Sequence, residues 1–406
     1  MTSRARLGTF LSRTDPPPTA DVVIVGGGIA GLSLALALAR RGVREVVIVE
    51  RGYPGGGATG RNVARIRAMQ LTETLCAVAR ACQDTYERMG EELGFNVLFY
   101  RMGYAWVLYD PDELERMRDI VAMHHRIGVR SELHDERGTL HLLPILEGGD
   151  PVAGSVVHDD AIVHHDAVVW AHLERLAETS AAFLGATEVI GIDRDDRGVT
   201  GVLTDRGRIA ARHVVNATDG WSTELNAMAG VDFPNRPYRR EVLVTAPIVR
   251  TIDKAVTFYR PTEGWFNQTL RGEVVMGVVD PAEPMGVDQR SSWAFLRRTA
   301  ALMVRKAPAL RDVTVIRQWG GMYDVSPDHQ PLVGPTRQLE GWWEANGWSG
   351  RGMLLAPYLM EQLAERFAAG TTGPHLALFD PDRFEPGGVA HTSTDYYGRY
   401  GAASGR

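Results

Sequence analysis

The chain has 406 residues, room for two domains at roughly 100–200 residues each. With 44% hydrophobic and 23% charged residues its usage is that of an ordinary globular protein, which excludes a disordered or charged-tail protein. Lys+Arg 44 against Asp+Glu 50 leaves a formal net charge of -6, so a nucleic-acid partner is not expected; two cysteines, Cys76 and Cys82, are too few for a disulfide scaffold or a Cys-based zinc site.

Residues 1–20 read as an arm ending in Pro16-Pro17-Pro18. The arm lacks the apolar run of about 7–15 residues that marks a signal peptide. Val22–Ala39 carries no charge for 18 residues, the length at which a membrane span is first considered. Gly26–Gly28 splits it into a β-branched run and an Ala/Leu run, so a strand, a tight turn and a buried helix are predicted instead. The expectation is a soluble, cytoplasmic protein.

Residues 21–50 form a strand–turn–helix–strand unit: DVVIV, GGGIAG, LSLALALARRG and EVVIVE. Gly26 to Gly31 satisfies G-x-G-x-x-G in the required context, after a strand and at the start of a helix. Gly26 makes the turn, Gly28 lets the backbone approach a pyrophosphate, and Gly31 allows close helix–strand packing. The phosphates would then lie against helix N–H groups at the positive end of the dipole. Glu50 ends the next strand, 19 residues beyond Gly31, placed to accept hydrogen bonds from a ribose; an acid there disfavours the 2′-phosphate of NADP. The motif alone leaves NAD and FAD open.

The segment after Glu50 favours FAD. Arg51–Arg67 (RGYPGGGATGRNVARIR) is a glycine-rich loop where a simple NAD domain would continue into its next helix. Helical periodicity is present over 72–94 and 111–128, with strands predicted over Gly94–Tyr109 between them, and a further helix over His165–Ala182. From Ala186 to Thr218 the period falls to two, predicting strands. Residues 240–280 are strand-rich, Ser291–Lys306 reads as a helix, and a last helix is predicted near Pro357–Ala369. The Gly/Ser/Tyr-rich tail after Phe384 reads as a surface arm. The turns Val214–Trp221 and Gly347–Gly352 lie roughly 190 and 320 residues after the glycine motif. A long cofactor bound across a discontinuous domain accounts for such scattering.

The fingerprint, GATGRN, VVNATDGW and PDHQPLVGP…NGWSGRGM together resemble the D-amino-acid oxidase/sarcosine oxidase family of flavoproteins over nearly all of residues 20–380. Within it, YPGGGATGRNVARIR, EELGFNVLF and HHDAVVW are most similar to the β subunits of heterotetrameric sarcosine oxidases. The resemblance implies an α/β fold: a glutathione-reductase-like FAD-binding Rossmann domain, discontinuous in sequence, and an α+β substrate domain on a mainly antiparallel sheet. The expected division is an arm over 1–20, an FAD-binding domain over 21–92, 150–234 and 322–384, a substrate domain over 93–149 and 235–321, and a tail over 385–406. Cofactor contacts are expected at Gly26, Gly28, Gly31, Glu50, Arg51, Thr59, Gly60, Arg61, Asn62, Val189, Ala217, Gly220, Gly347, Gly350, Gly352 and Met353.

The implied reaction transfers a hydride equivalent from an amine carbon to the flavin, and the imine formed then hydrolyses. Monomeric relatives attach FAD through a cysteine in an Arg-Cys-Met-Tyr stretch; this chain reads Gly320-Gly321-Met322-Tyr323, so non-covalent FAD is expected. On spacing alone, His164-His165-Asp166 is a polar helix start. The resemblance gives His165 a further role, covalent attachment of a second flavin, FMN, in the β subunits. It also implies an α-subunit partner. Arg67 ends the stretch Arg61-Asn62-Val63-Ala64-Arg65-Ile66-Arg67, whose arginine region faces the substrate carboxylate in relatives, and is the candidate catalytic residue. Where the family has a lysine in Gly-Phe-Lys, this chain has Gly352-Met353-Leu354, which removes a carboxylate contact. Tyr259, Trp265, Phe266, Trp319 and Tyr323 could wall an amine pocket or simply fill the core. Two other readings stay open: an FAD-binding subunit whose partner does the chemistry, and a D-amino-acid dehydrogenase that acts as a single chain.

Overall fold

The computed structural model describes residues 15–259, 264–280 and 282–385; most of the expected arm, and all of the expected tail (385–406) but its first residue, lie outside them. Strand β1 (Thr19–Val25) leads through a glycine turn into helix α1 (Ile29–Arg40) and β2 (Val46–Val49). A 3₁₀ turn at Ala58–Arg61 precedes β3 (Arg65–Ile66), α2 (Glu73–Glu92), β4 (Tyr104–Leu108), α3 (Asp112–Arg126), β5 (Ser131–Asp135), α4 (Glu136–Leu142), β6 (Ala153–Val157), β7 (Ala161–Ile162) and α5 (His165–Leu176). Then come β8 (Ala182–Leu184), β9 (Val189–Asp195), β10 (Gly198–Thr204), β11 (Gly207–Asn216), α6 (Ser222–Ala229) and β12 (Arg236–Thr245). The chain continues through β13 (Ala255–Tyr259), β14 (Gly264–Gln268), β15 (Val274–Val278), α7 (Trp293–Lys306), β16 (Val315–Val325), β17 (Leu332–Pro335), β18 (Trp342–Asn346) and α8 (Gly352–Ala369).

The first sheet has the order β17-β18-β11-β1-β2-β8, with β10 and β9 attached beside β11. Its centre is parallel: β1 pairs with β11 and β2, and β11 with β18. Val22–Ile24 are fully buried, as a parallel strand covered on both faces must be. Helices α1, α5 and α8 cover one face through Leu32, Leu36, Val168, Leu355 and Leu359. The second sheet has the order β16-β12-β15-β14-β13-β4-β6-β5 and is antiparallel except where β13 meets β4. Helix α7 packs Phe295, Leu302 and Met303 onto it.

This is the expected FAD-binding architecture, with differences of boundary. Ala153–Val157 pairs with β4 and β5 in the second sheet, not in the first, because its AGSVV run is buried between two antiparallel neighbours. The second sheet likewise keeps β16 to Val325, since Val325 still pairs with Arg236; the expected division at 321/322 cuts this strand. Of the strands predicted over Gly94–Tyr109, only Tyr104–Leu108 forms.

The last helix starts at Gly352, five residues before the prediction, with Pro357 inside it. A proline invites the reading of a helix start. Here it sits in the interior, where its missing N–H leaves the carbonyl four residues back unserved. That carbonyl belongs to Met353, and it accepts a hydrogen bond from the Tyr86 hydroxyl on α2. A tertiary contact thus repairs a local fault. Among the described residues no helix is long and apolar enough to cross a membrane.

Candidate cofactor and substrate site

One cavity of about 420 Å³ runs from the carboxyl ends of the parallel strands to the face of the second sheet. At its first end the wall is backbone. Gly26 sits at φ +116, and a Cβ there would lie 2.4 Å from the Ala217 carbonyl oxygen. A Cβ on Gly31 would lie 2.0 Å from the Gly26 oxygen. Glycine is obligatory at both positions for steric reasons. Gly28 caps α1 without a side chain; only the Ile29 N–H meets a side chain there, donating to Thr59 Oγ1 at 3.0 Å. The first turn of α1 therefore presents backbone donors to the cavity, the arrangement that binds a pyrophosphate. Glu50 accepts hydrogen bonds from the Gly27 and Gly52 N–H groups, both at 2.7 Å, which fixes its carboxylate at the ribose end.

These features fit FAD. The cradle has no room for a Cβ at its turn, a helix N-terminus opens on it, and an acid stands at the second strand end. Of the residues expected to contact the cofactor, Gly26, Gly28, Glu50, Arg51, Thr59, Arg61, Asn62, Val189, Ala217, Gly350, Gly352 and Met353 line the cavity, as does Arg67. Gly31, Gly60, Gly220 and Gly347 stand behind its wall. A Cβ would strike the Gly55 oxygen from Gly60 at 2.7 Å and the Met322 side chain from Gly220 at 2.5 Å. Their part is to let other segments reach the cavity.

At the other end the wall is made of side chains. Arg65 donates from Nε and Nη2 to Asn267 Oδ1 at 3.2 and 3.0 Å and from Nη1 to Thr257 Oγ1 at 3.3 Å. Its guanidinium lies 4.8 Å from the Trp265 ring centroid. Arg67 donates to the Met69 carbonyl at 2.7 Å and stands 5.1 Å from the Tyr104 ring. Buried Asp160 holds this turn by accepting from the Ala68 N–H and Gln83 Nε2, each at 2.7 Å; burial pushes its carboxyl up to about 7. Arg240 on β12 stacks on Tyr238 at 4.2 Å and faces Tyr323 at 5.4 Å. Leu354, the departure from the family lysine, is buried and lines the same cavity. Of the candidate aromatics, Trp265 and Tyr323 line the cavity, Tyr259 and Phe266 are core, and Trp319 donates to the Arg61 carbonyl at 3.0 Å.

Beneath the cavity lies a cluster of acids. Asp219, at φ 51, lines it, and burial next to Asp324 raises its carboxyl pKa well above the usual range. Asp324 accepts from Ser222 Oγ, Asn235 Nδ2 and the Gly347 N–H, and burial lifts it to about 6. Glu344 accepts from Trp342 Nε1 at 2.8 Å and Asn346 Nδ2 at 2.6 Å and is pushed by burial to about 8. Sequence reasoning missed this cluster, as it missed Arg240, Tyr104 and Thr257. Except for Asp219, which opens a 3₁₀ turn at Asp219–Trp221, each lies on a strand whose neighbours only topology supplies.

His165 does not line the cavity. It opens α5, stacks on His164 with ring centroids 5.1 Å apart, and has Nε2 3.4 Å from Asp166 Oδ1. Burial lowers its pKa, Asp166 opposes that, and His164 adds to it. Both cysteines are buried free thiols, with Cys76 raised to about 12 by burial. No cluster of three His, Cys, Asp or Glu able to hold a metal occurs among the described residues.

Residues 21–366 match the model of the family described as FAD dependent oxidoreductase. The chain belongs to that family. It is 29% identical over 397 residues to the sarcosine oxidase β subunit of Rhodobacter capsulatus, covering 93% of this chain and 94% of that one. The sarcosine oxidase β subunit of an Arthrobacter species is also 29% identical, over 380 residues, covering 92% and 93%. Among solved structures, L-proline dehydrogenase from P. horikoshii superposes with a TM-score of 0.86 at 30% identity, covering 91% of this chain and 99% of that one. The chain is an enzyme, an FAD-dependent oxidoreductase of the type that acts on amines and amino acids.

Proposed function

We propose that this chain oxidises a secondary amine or N-alkyl amino acid at FAD, as the β subunit of a hetero-oligomer that also carries FMN on His165. The observation that carries the reading is the cavity joining a backbone cradle for the cofactor to a wall of Arg65, Arg67 and aromatic rings. When bound, FAD would supply the acceptor for a hydride equivalent from the carbon next to nitrogen. The protein's own part is positioning. Arg67 would hold the substrate carboxylate, an anion that a guanidinium grips in bidentate fashion. The rings of Tyr104 and Trp265 would border the amine and exclude water.

Similarity to two sarcosine oxidase β subunits supports an α-subunit partner. Burial that keeps His165 neutral near pH 7 suits an imidazole nitrogen acting as nucleophile toward the flavin methyl group. Trp170, about half exposed on the same helix, suits a covered face there. A cytoplasmic location is part of the same proposal.

The test is anaerobic mixing of the assembled complex with a panel of secondary amines, from sarcosine to bulkier N-alkyl amino acids. Bleaching of the FAD band by at least one is expected. No bleaching with any of them, while dithionite still reduces the flavin, would contradict amine oxidation and favour a relay role for this subunit. For FMN, the denatured chain should stay yellow and His165→Ala should not; a colourless denatured wild type contradicts the attachment.

A further inference from the structure

Of the three clustered acids, Asp219 alone lines the cavity. It opens its 3₁₀ turn between two segments that stand at the cofactor end. On one side Ala217 and Thr218 abut the glycine turn: a Cβ on Gly26 would lie 2.4 Å from the Ala217 oxygen and 3.4 Å from the Thr218 nitrogen. On the other side the Asp219 N–H donates to Asn346 Oδ1 at 2.8 Å, at the entrance to the Gly347–Gly352 turn. Asp219 holds a left-handed backbone, φ 51. Outside glycine this conformation is commonest for Asn and Asp, and it persists where the surroundings impose it.

Asp324 on β16, beside it, is met by donors only. Asn235 Nδ2 donates to both of its oxygens at 2.7 Å, and Oδ2 also accepts from Ser222 Oγ at 3.0 Å and the Gly347 N–H at 2.8 Å. That is the setting of an ionised carboxylate. Asp219 lacks such a setting, and its Oδ1 is buried without a hydrogen-bond partner. Two neighbouring carboxylates do not readily both ionise, so the proton resides on Asp219.

The turn packs against β16, β12 and α6, and the cations there are engaged elsewhere. Arg239 on β12 pairs with Glu283 and Asp288, Arg240 stacks on Tyr238, Arg236 acts on Asp324, and Arg51 lies over Trp221. Glu224 on α6, Glu241 on β12 and Glu344 on β18 are further acids, but the one charge acting on Asp219 is that of Asp324. Burial first, and then this charge, raise its pKa, and the Asp324 N–H opposes them. A neutral carboxyl has an O–H to donate, whereas phosphate oxygens only accept. An ionised carboxylate beside a pyrophosphate would be repelled; a neutral one binds it.

We infer that Asp219 is a cofactor-binding residue that works as a neutral acid, its carboxyl O–H donating a hydrogen bond to an oxygen at the pyrophosphate end of FAD. The inference rests on FAD binding alone and stands whichever substrate is oxidised.

The test is a fluorescence titration with FAD at pH 7 of the full-length apoprotein, together with any partner chain that copurifies. Asp219→Asn and Asp219→Gly both accept the left-handed backbone. The amide of Asn still donates, so Asp219→Asn should bind within about 3-fold of wild type. Asp219→Gly, with no donor, should bind about 10-fold more weakly. A Gly variant that binds as wild type does, or an Asn variant as weak as the Gly one, overturns the contact. Either variant binding more tightly than wild type would show a repelled carboxylate and overturn the neutral acid. An infrared difference spectrum between the FAD-loaded and apo forms gives a reading that does not depend on the Gly variant's folding. The wild type should show the C=O stretch of a protonated carboxyl shifting on FAD binding, and Asp219→Asn should lack it. A wild type without that band, or an Asn variant that keeps it, overturns the assignment.

Discussion

The two ends of the cavity are built from different materials. At the cofactor end the glycine turn sets the surface with main chain, and a side chain is excluded from the turn itself: a Cβ would lie 2.4 Å from the Ala217 oxygen at Gly26 and 2.0 Å from the Gly26 oxygen at Gly31. At the substrate end the surface is side chain, with Arg65 and Arg240 held by partners from four strands of one sheet and Arg67 standing beside Tyr104 on a fifth. A dinucleotide presents the same phosphates and ribose in every enzyme that binds it, so a backbone mould suffices. Substrates differ, and a sheet face on which any residue can change without disturbing the ladder is where such differences can be written.

This contrast predicts opposite sensitivities. Adding an atom should ruin the cofactor end: Gly31→Ala drives a methyl into the Gly26 carbonyl, and overpacking of this kind should weaken FAD binding by about 100-fold in a fluorescence titration of the apoprotein. A Gly31→Ala chain with wild-type affinity would break the account of a backbone mould. Removing an atom should tell at the joint between the ends. Tyr86→Phe leaves the Met353 carbonyl without its donor beside the cofactor turn, and an unserved buried carbonyl costs about 1–3 kcal/mol. Denaturant unfolding should show that loss, and no change in midpoint would mean that water replaces the hydroxyl.

The smallest effect concerns the acids beneath the cavity. Glu344 has its folded pKa raised from 4.5 to about 8, and Asp324 from 3.8 to about 6. The native state then binds more protons than the unfolded state between these limits. The contribution of each acid is fully present below its unfolded pKa and is lost as pH rises through the folded one. The melting temperature should fall from about pH 4.5 to about pH 8 and level off above that, and Glu344→Gln should flatten that decline, whatever constant offset the amide introduces. A variant with the wild-type slope would place the titration elsewhere.

The same contrast decides what could be read from the sequence. The cofactor end was legible because its parts are contiguous and sterically forced. A glycine turn that cannot hold a Cβ, a capless helix start and an acid at the next strand end each leave a local mark, and twelve of the sixteen expected FAD contacts line the cavity. The substrate end was legible in part, at Arg67 and Leu354 where the family pattern reached it and at Trp265 and Tyr323 among the candidate aromatics. Arg240, Tyr104, Thr257 and Asn267 come together because β12, β4, β13 and β14 belong to one sheet whose order is not the order of the chain. The acid cluster was invisible for the same reason, since Asp219, Asp324 and Glu344 stand on separate elements. Boundaries failed where tertiary contacts override local signals, at Pro357 with its Tyr86 partner and at Ala153–Val157 in the second sheet.

The most direct test of the central claim, that cofactor and substrate meet in this one cavity with Arg67 holding the substrate, is stopped-flow reduction of the assembled enzyme with its best amine, wild type against Arg67→Gln. The account predicts that the variant keeps its FAD content and its reduction by dithionite. Amine-dependent bleaching should meanwhile slow by roughly 100-fold at subsaturating substrate. Unchanged bleaching in the variant would contradict it.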